Sequence, residues 1–339
     1  MSAPASLLVP AEWAPHKALW TAWPSHPELW EADLAPARAE LAAMVEALAA
    51  PVDGAPGDAL KVLASGLEAE LSARAAIGHL AEILPARFGD IWLRDTGPIF
   101  GLLEGEPIAH AFQFNGWGGK YQLGHDTEVA EQVARLAQVP LQLHPFVLEG
   151  GAIELDGEGT LLTTRQCLLN PNRNPGWSEA QAEARLQAAL GVERVVWLDT
   201  GLANDHTDGH VDNLARFVAP GRVVCQAPYG EDDPNADVLE AVFAALSAAV
   251  DARGRRLEVR RIPSPGFVAD EDGAPIPASH MNWVVGNSTL VVPIYSDSGD
   301  DAVRALAEVF PNRRVLGLSA RALLSGGGAF HCITQQEPL

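Results

Sequence analysis

Three glycines lead into a cysteine near the end of the chain, in the run Gly326-Gly327-Gly328-Ala329-Phe330-His331-Cys332-Ile333-Thr334. Consecutive glycines weaken any regular element, so they mark backbone that turns sharply or lies close to another group. A thiol beside such backbone is a candidate nucleophile; taken alone, Cys332 reads equally as a small buried hydrophobe. In Trp92-Leu93-Arg94-Asp95-Thr96-Gly97-Pro98, Asp95 offers an anion beside Trp92, a pair suited to a planar cation, although Arg94 and Asp95 also fit an ion pair at a solvated strand end. Glu149, in Leu148-Glu149-Gly150-Gly151, puts a carboxylate before a tight turn. In Thr207-Asp208-Gly209-His210-Val211-Asp212 an imidazole and a carboxylate stand two apart at an expected strand start, hence on one face. One can handle protons while the other holds charge. Trp117, within Phe114-Asn115-Gly116-Trp117-Gly118-Gly119, sits in a run too glycine-rich for an ordinary core tryptophan and reads as an aromatic flap. A rival reading makes His206, Asp208, His210 and Asp212 a metal site; Gly209 argues against a helical His-x-x-x-His face, and no metal is expected.

The elements that must position these residues recur. An apolar strand from Ile91, a strand over Ile108 to Phe114, a helix near Thr127 to Gln138 and a strand over Leu141 to His144 form one unit. The same strand-strand-helix-strand order returns from Ala152 to Leu198, from Val211 to Ile262 and from Met281 to Leu318. A fifth unit needs circular closure, with the strand after Cys332 pairing beside Ala18 to Trp23, then a helix over Leu34 to Ala49 and a strand over Leu60 to Ala64. The segment from Leu67 to Leu84 has no place in this count. Units closed in this way form a ring about an axis. Asp95, Glu149, His210, His280 and Cys332 each stand near the head of a unit, so equivalent positions would face that axis together. A single domain spanning 1–339 is expected.

Composition narrows the partners. The chain has 339 residues, 47% of them hydrophobic, with Lys+Arg 23 against Asp+Glu 44 and a net charge of -21. Such a balance disfavours nucleic acid and anionic membrane surfaces and suits a cationic small substrate. Cys167, Cys225 and Cys332 are far apart, which predicts neither a disulfide framework nor a thiolate zinc site. The sequence shows no leader pattern and no membrane-length apolar run, so a cytoplasmic location is expected; a homo-oligomer is left open.

Together these motifs, with Glu12-Trp13-Ala14-Pro15-His16, Trp20-Thr21-Ala22-Trp23-Pro24 and Leu168-Leu169-Asn170-Pro171-Asn172-Arg173-Asn174-Pro175, resemble the agmatine deiminase and Porphyromonas-type peptidylarginine deiminase family of the guanidine-modifying, or pentein, superfamily. The resemblance covers nearly the whole chain and implies an α/β fold, a five-bladed α/β propeller of pseudo-symmetric strand-strand-helix-strand units around one active site. It implies Cys332 as nucleophile, His210 as general acid/base with Glu149 as its partner, and Asp95 with Asp212 gripping the guanidinium. Trp92, Trp117, His206, Gly327 and Gly328 would line the substrate site, the glycines letting a flat guanidinium lie against backbone. No cofactor is implied. The expected reaction is deimination, with agmatine first, another small guanidine next, and peptidylarginine requiring an open cleft. His206 stands where relatives often carry an acid, and His280 where they often carry an aromatic. A metal-dependent amidohydrolase and a non-catalytic cation-binding propeller are the readings of other classes.

Overall fold

Five small sheets, each built mostly from one stretch of chain, carry the structure, a computed structural model describing residues 7–339. Residues 1–6, part of the stretch read as leaderless, lie outside the described residues. In the clearest unit, Ile153–Leu155 pairs antiparallel with Thr160–Thr164, the helix Glu179–Leu190 crosses over, and Arg194–Leu198 returns parallel to Thr160–Thr164. Local chemistry sets those boundaries. Asp156 Oδ1 accepts hydrogen bonds from the amides of Glu158 (2.7 Å) and Thr160 (2.8 Å), closing the hairpin over Gly157 and Gly159, both at positive φ. Ser178 and Gln181 form a reciprocal capping box that starts the helix, and Gly191 ends it in the left-handed region. The middle strand is buried at every position, as expected when helix and neighbours cover both faces.

The same order holds over Ala215–Ala219, Arg222–Ala227, Ala236–Ala248 and Glu258–Pro263, and again over Val284–Val285, Thr289–Ile294, Gly299–Val309 and Arg314–Ser319. Ile99–Leu103, Glu106–Gln113, Val129–Ala137 and Leu141–Val147 make another unit, with Leu7–Leu8 added at its edge. In the last unit Thr334–Pro338 pairs antiparallel with His16–Ala22, so the two ends of the chain share a sheet; Leu34–Ala49 and Leu60–Ala64 follow. The helix Leu67–Ile77 and the strand Ala81–Pro85 extend that sheet by a fourth strand, which accounts for the segment without a place in the repeat. Among the described residues no helix is long and apolar enough to cross a membrane.

The first strands begin later than the apolar pattern predicts. Leu93–Thr96 is a short helical turn rather than strand, and the strand starts at Ile99, after Pro98. Val211–Asn213 is a 3-10 turn, so His210 and Asp212 are placed by that turn and not by strand alternation. Val284–Val285 is all that remains of the strand expected from Met281. In each case the residues before the strand direct polar groups to other units instead of a neighbouring ladder.

Those groups meet in a buried hub. Glu12 Oε1 accepts from Arg94 Nη1 (2.9 Å) and lies 2.7 Å from His331 Nε2, while its Oε2 accepts from Arg216 Nη2. Arg216 also donates Nε to Glu154 Oε2 (2.7 Å) and Nη1 to the carbonyls of Met281 (3.2 Å) and Trp283 (3.1 Å); Arg94 Nη1 reaches Gln335 Oε1 (3.2 Å). Each of the five sheets thus contributes from its first strand or the turn preceding it. Burial alone would raise the Glu12 carboxyl, but Arg216, Arg94 and His331 hold it well below the usual carboxylate range. Replacing one partner leaves buried charge uncompensated, which costs roughly 3–5 kcal/mol. Arg216→Met is therefore expected to lower the free energy of unfolding by that amount, read as a lower denaturant midpoint at an unchanged slope; an unchanged midpoint would show that the hub does not hold the sheets together.

Candidate active site

Beside the hub, His331 and Asn282 link the buried charges to a thiol. Asn282 Nδ2 stands 3.1 Å from Cys332 Sγ and 3.3 Å from Asp212 Oδ2, and its Oδ1 accepts from the amides of His331 (3.0 Å) and Cys332 (3.2 Å). Cys332 Sγ lies 3.7 Å from Asp212 Oδ2. That oxygen is also 2.8 Å from His331 Nδ1, whereas Asp212 Oδ1 is buried without a hydrogen-bond partner among the described residues. Asp95 completes the ring of groups: its Oδ1 accepts from the amide of Gly151 (2.8 Å), its Oδ2 from Trp117 Nε1 (2.9 Å), and Oδ2 lies 3.8 Å from His210 Nδ1. Both ring nitrogens of His210 are buried without a hydrogen-bond partner among the described residues.

Two glycines make this closeness possible. A Cβ on Gly151 would stand 2.5 Å from His210 Nδ1, 2.9 Å from Asp95 Oδ1 and 3.1 Å from Asp212 Oδ2. A Cβ on Gly328 would lie 2.7 Å from the Trp92 ring and 3.1 Å from Cys332 Sγ. Gly327, at φ +118, is in a backbone conformation that disfavours a side chain.

The field is strongly anionic. Burial pushes the Cys332 thiol well up, and the charges of Asp212 and Asp95 push it further. Burial would lower His210, but Asp95, Cys167 and Glu149 together raise it well above the ordinary imidazole value. Asp212 is lowered despite burial, chiefly by its hydrogen bond to His331. The site therefore brings together a thiol shifted toward its neutral form, an imidazole shifted toward its protonated form and the side chains of Asp95 and Asp212, the latter with an oxygen that has no partner among the described residues. It can accept a flat cation with several N–H donors, present a sulfur to it and donate a proton.

Of the residues singled out in the sequence, Cys332, Asp95, Trp92, Trp117, His206 and Gly327 line one cleft of about 1570 Å³. Trp117 is a buried part of its wall, anchored by Asp95, rather than a loose flap in this conformation. Trp92 donates Nε1 to Asp90 Oδ2 at 2.7 Å. His206 is exposed, with Nδ1 2.6 Å from the Tyr121 hydroxyl and its ring stacked on that tyrosine. Glu149 lies near His210 and Cys167, yet makes no hydrogen bond to His210; its Oε1 accepts from Arg173 Nε at 2.5 Å. The residue making an ion-pair approach to the imidazole is Asp95, because Arg173 claims the glutamate. His280 is turned away, with Nδ1 2.8 Å from the Pro293 carbonyl and Nε2 3.1 Å from Ser298 Oγ. Asn282, two residues later, reaches the thiol instead. The expected alternative ligand set also disperses: Asp208 binds Lys120, Asn172 and Arg173, and His206 binds Tyr121.

Asn282, Gly151, His331 and Arg173 were not singled out in the sequence. Arg173 and His331 were visible only as members of quoted motifs, and Gly151 only as a turn glycine.

The sequence profile of the Porphyromonas-type peptidyl-arginine deiminase family matches residues 8–338. An agmatine deiminase of Stutzerimonas stutzeri is 40% identical over 97% of this chain and 95% of its own length. The solved structure of the agmatine deiminase of Enterococcus faecalis superimposes with a TM-score of 0.90 at 30% identity, covering 98% of this chain and 96% of that one. A DDAH of Pseudomonas aeruginosa shares the α/β fold at 13% identity and a TM-score of 0.53, over 95% of this chain and 99% of its own. On matches of this extent, the chain belongs to the Porphyromonas-type peptidyl-arginine deiminase family.

Proposed function

We propose that this protein hydrolyses the guanidinium of agmatine to N-carbamoylputrescine and ammonia through a covalent intermediate on Cys332, within a single-domain, five-bladed α/β propeller whose blades are the five sheets. The observation that carries the reading is Cys332 Sγ lying 3.7 Å from an oxygen of Asp212, whose other carboxylate oxygen has no partner among the described residues. A guanidinium offers N–H donors in a planar fork, which carboxylates match edge to edge. Asp212 Oδ1 and the remaining lone pairs of Asp95 take that fork, with Trp92 and Trp117 as aromatic walls and the Gly327-Gly328 backbone beside the sulfur.

Burial, together with the anions around it, holds the free thiol neutral. A bound guanidinium cancels their field, so the thiol loses its proton to solvent and substrate binding activates the nucleophile. Sulfur attacks the guanidinium carbon to form a tetrahedral adduct. The imidazolium of His210 protonates the departing nitrogen, ammonia leaves, and a thiouronium remains. Neutral His210 then takes a proton from water, whose oxygen attacks the same carbon; as this adduct collapses the C–S bond breaks and the hydroxyl proton passes to sulfur, which releases the ureido product and restores the free thiol beside protonated His210. Glu149, held by Arg173, contributes negative charge behind His210 and supports its protonated form. No step calls for a metal or an organic cofactor. Agmatine is favoured over other guanidines by the agmatine deiminases among the similar proteins; another small guanidine is the second reading, which the histidine at position 206 favours.

Cys332→Ala is expected to abolish ammonia release from guanidines while the far-UV circular dichroism and melting temperature stay close to those of the parent, and EDTA is expected to change neither activity nor fold. Substantial ammonia release by that variant, or loss of activity with chelator, rejects the cysteine mechanism. A panel of agmatine, arginine, arginyl peptide and other guanidines, scored for ureido product, ranks the substrates. The pH profile has a defined sign. Because the free enzyme's Cys332 and His210 are both shifted upward, kcat/KM should climb as the thiolate population grows and decline only once His210 loses its proton, which sets the optimum above neutrality. An optimum below pH 6 in stopped-time ammonia assays contradicts it.

A further inference from the structure

His331 is the residue through which the hub touches the site, and its two hydrogen bonds constrain its chemistry. Nδ1 lies 2.8 Å from Asp212 Oδ2 and Nε2 lies 2.7 Å from Glu12 Oε1. The ring is buried, so no water competes for either nitrogen. A neutral imidazole has one N–H and one lone pair, and a lone pair facing a carboxylate oxygen at these distances is repulsive. Both acceptors are held ionised, Glu12 by Arg94, Arg216 and His331 against burial, Asp212 by this histidine, His210 and Arg216 against burial. His331 therefore bridges the two carboxylates, one ring nitrogen to each. Its backbone is fixed as well: the amide donates to Asn282 Oδ1 (3.0 Å) and the carbonyl accepts from Arg94 Nε (3.4 Å).

The consequence falls on the two oxygens of Asp212. Oδ2 is occupied by His331 Nδ1 and approached by Asn282 Nδ2, which fixes the rotation of the carboxylate. Oδ1 is left buried and without a partner among the described residues. A freely rotating carboxylate would exchange the two oxygens and turn toward whichever donor was nearest.

We propose that His331 is a positioning residue for the guanidinium-binding carboxylate: anchored on Glu12, it locks Asp212 Oδ2, so that Oδ1 alone is presented to the substrate. This rests on the deiminase reading above and adds a residue that acts without touching the substrate.

Two substitutions separate the two ends of the ring. The amide nitrogen of an asparagine side chain falls near the place of Nδ1, and that of glutamine near Nε2. His331→Asn keeps a donor for Asp212 and gives up Glu12; His331→Gln keeps a donor for Glu12 and gives up Asp212. Each loses one hydrogen bond to a charged group, and their melting temperatures should fall by similar amounts. Affinity should not. In the Cys332→Ala background, titration calorimetry with agmatine is expected to give a Kd for the Gln variant roughly tenfold above that of the Asn variant, the scale of one charge-assisted hydrogen bond. With Cys332 present, the KM ratio should follow, and the acid limb of kcat/KM should move to higher pH in the Gln variant because Asp212 has lost the partner that lowers it. Calorimetric stoichiometry counts only folded molecules, so a partly unfolded variant still reports its Kd. Equal affinities for the two variants, or weaker binding by the Asn variant, overturn the proposal. A parent protein that binds guanidines but releases no ammonia would instead refute the deiminase reading while leaving the test of His331 intact.

Discussion

Glu12 and the two arginines that meet on it, Arg94 and Arg216, set the conditions under which this fold can exist. A buried carboxylate or guanidinium is tolerated only when its partners are all in place, because the low dielectric that strengthens each pair also makes an incomplete one costly. The five sheets share little ladder with one another; they share this cluster. Arg94 comes from the turn before one sheet, Glu154 and Arg216 from the first strands of two others, the Met281 and Trp283 carbonyls from a fourth, and His331 with Gln335 from the sheet that pairs the chain ends. Charge pairing thus does between sheets what hydrogen-bonded ladders do within them.

The hub and the active site obey the same electrostatics with opposite outcomes. In the hub the strong donors and acceptors meet partners. In the site, Asp212 Oδ1 and both nitrogens of His210 are buried without any among the described residues, and the thiol is pushed up first by burial and then by the carboxylates beside it. An incompletely paired group of buried anions is destabilising for the free protein, and a guanidinium is the group that completes it. On the proposed reading binding and activation become one event, since a cation that satisfied Asp95 and Asp212 would also cancel the anionic field that, with burial, keeps sulfur protonated. Gly151 and Gly328 keep the separation short enough for this to hold; a methyl group at either position would occupy the space between the reacting groups.

What the sequence disclosed follows from range. Strand pairs, crossover helices and their caps are set by neighbours within a few residues, so Thr160–Thr164, Arg194–Leu198 and Leu34–Ala49 are legible from period, Asp-Gly turns and capping residues. The pairing of the chain ends was inferred from an incomplete unit rather than from any local signal. Partner choice is a different matter. Glu149 and His210 lie close, yet Arg173 takes the glutamate, and nothing in either motif ranks the two competitors. Asn282 carries no mark in Met281-Asn282-Trp283 that distinguishes it from any polar residue between apolar ones, and His280 looked the better candidate until its ring was seen to face Pro293 and Ser298. The cysteine, by contrast, was flagged by its glycines, whose signature is backbone geometry rather than a distant partner.

Recognition of the guanidinium and recognition of the tail attached to it stand on unequal physical footing. The head meets buried carboxylates, where an unmatched donor or acceptor has no water to turn to, and discrimination by such groups is large. On the proposed reading the tail would run along the cleft, whose lining includes exposed groups, among them His206 stacked on Tyr121. A contact made there exchanges with water and is screened, so a single side chain contributes little to affinity. Position 206 would accordingly bear on preference among guanidines rather than on the chemistry performed on them. One buried constellation can serve several tails, because nothing that holds the head depends on what lies beyond it.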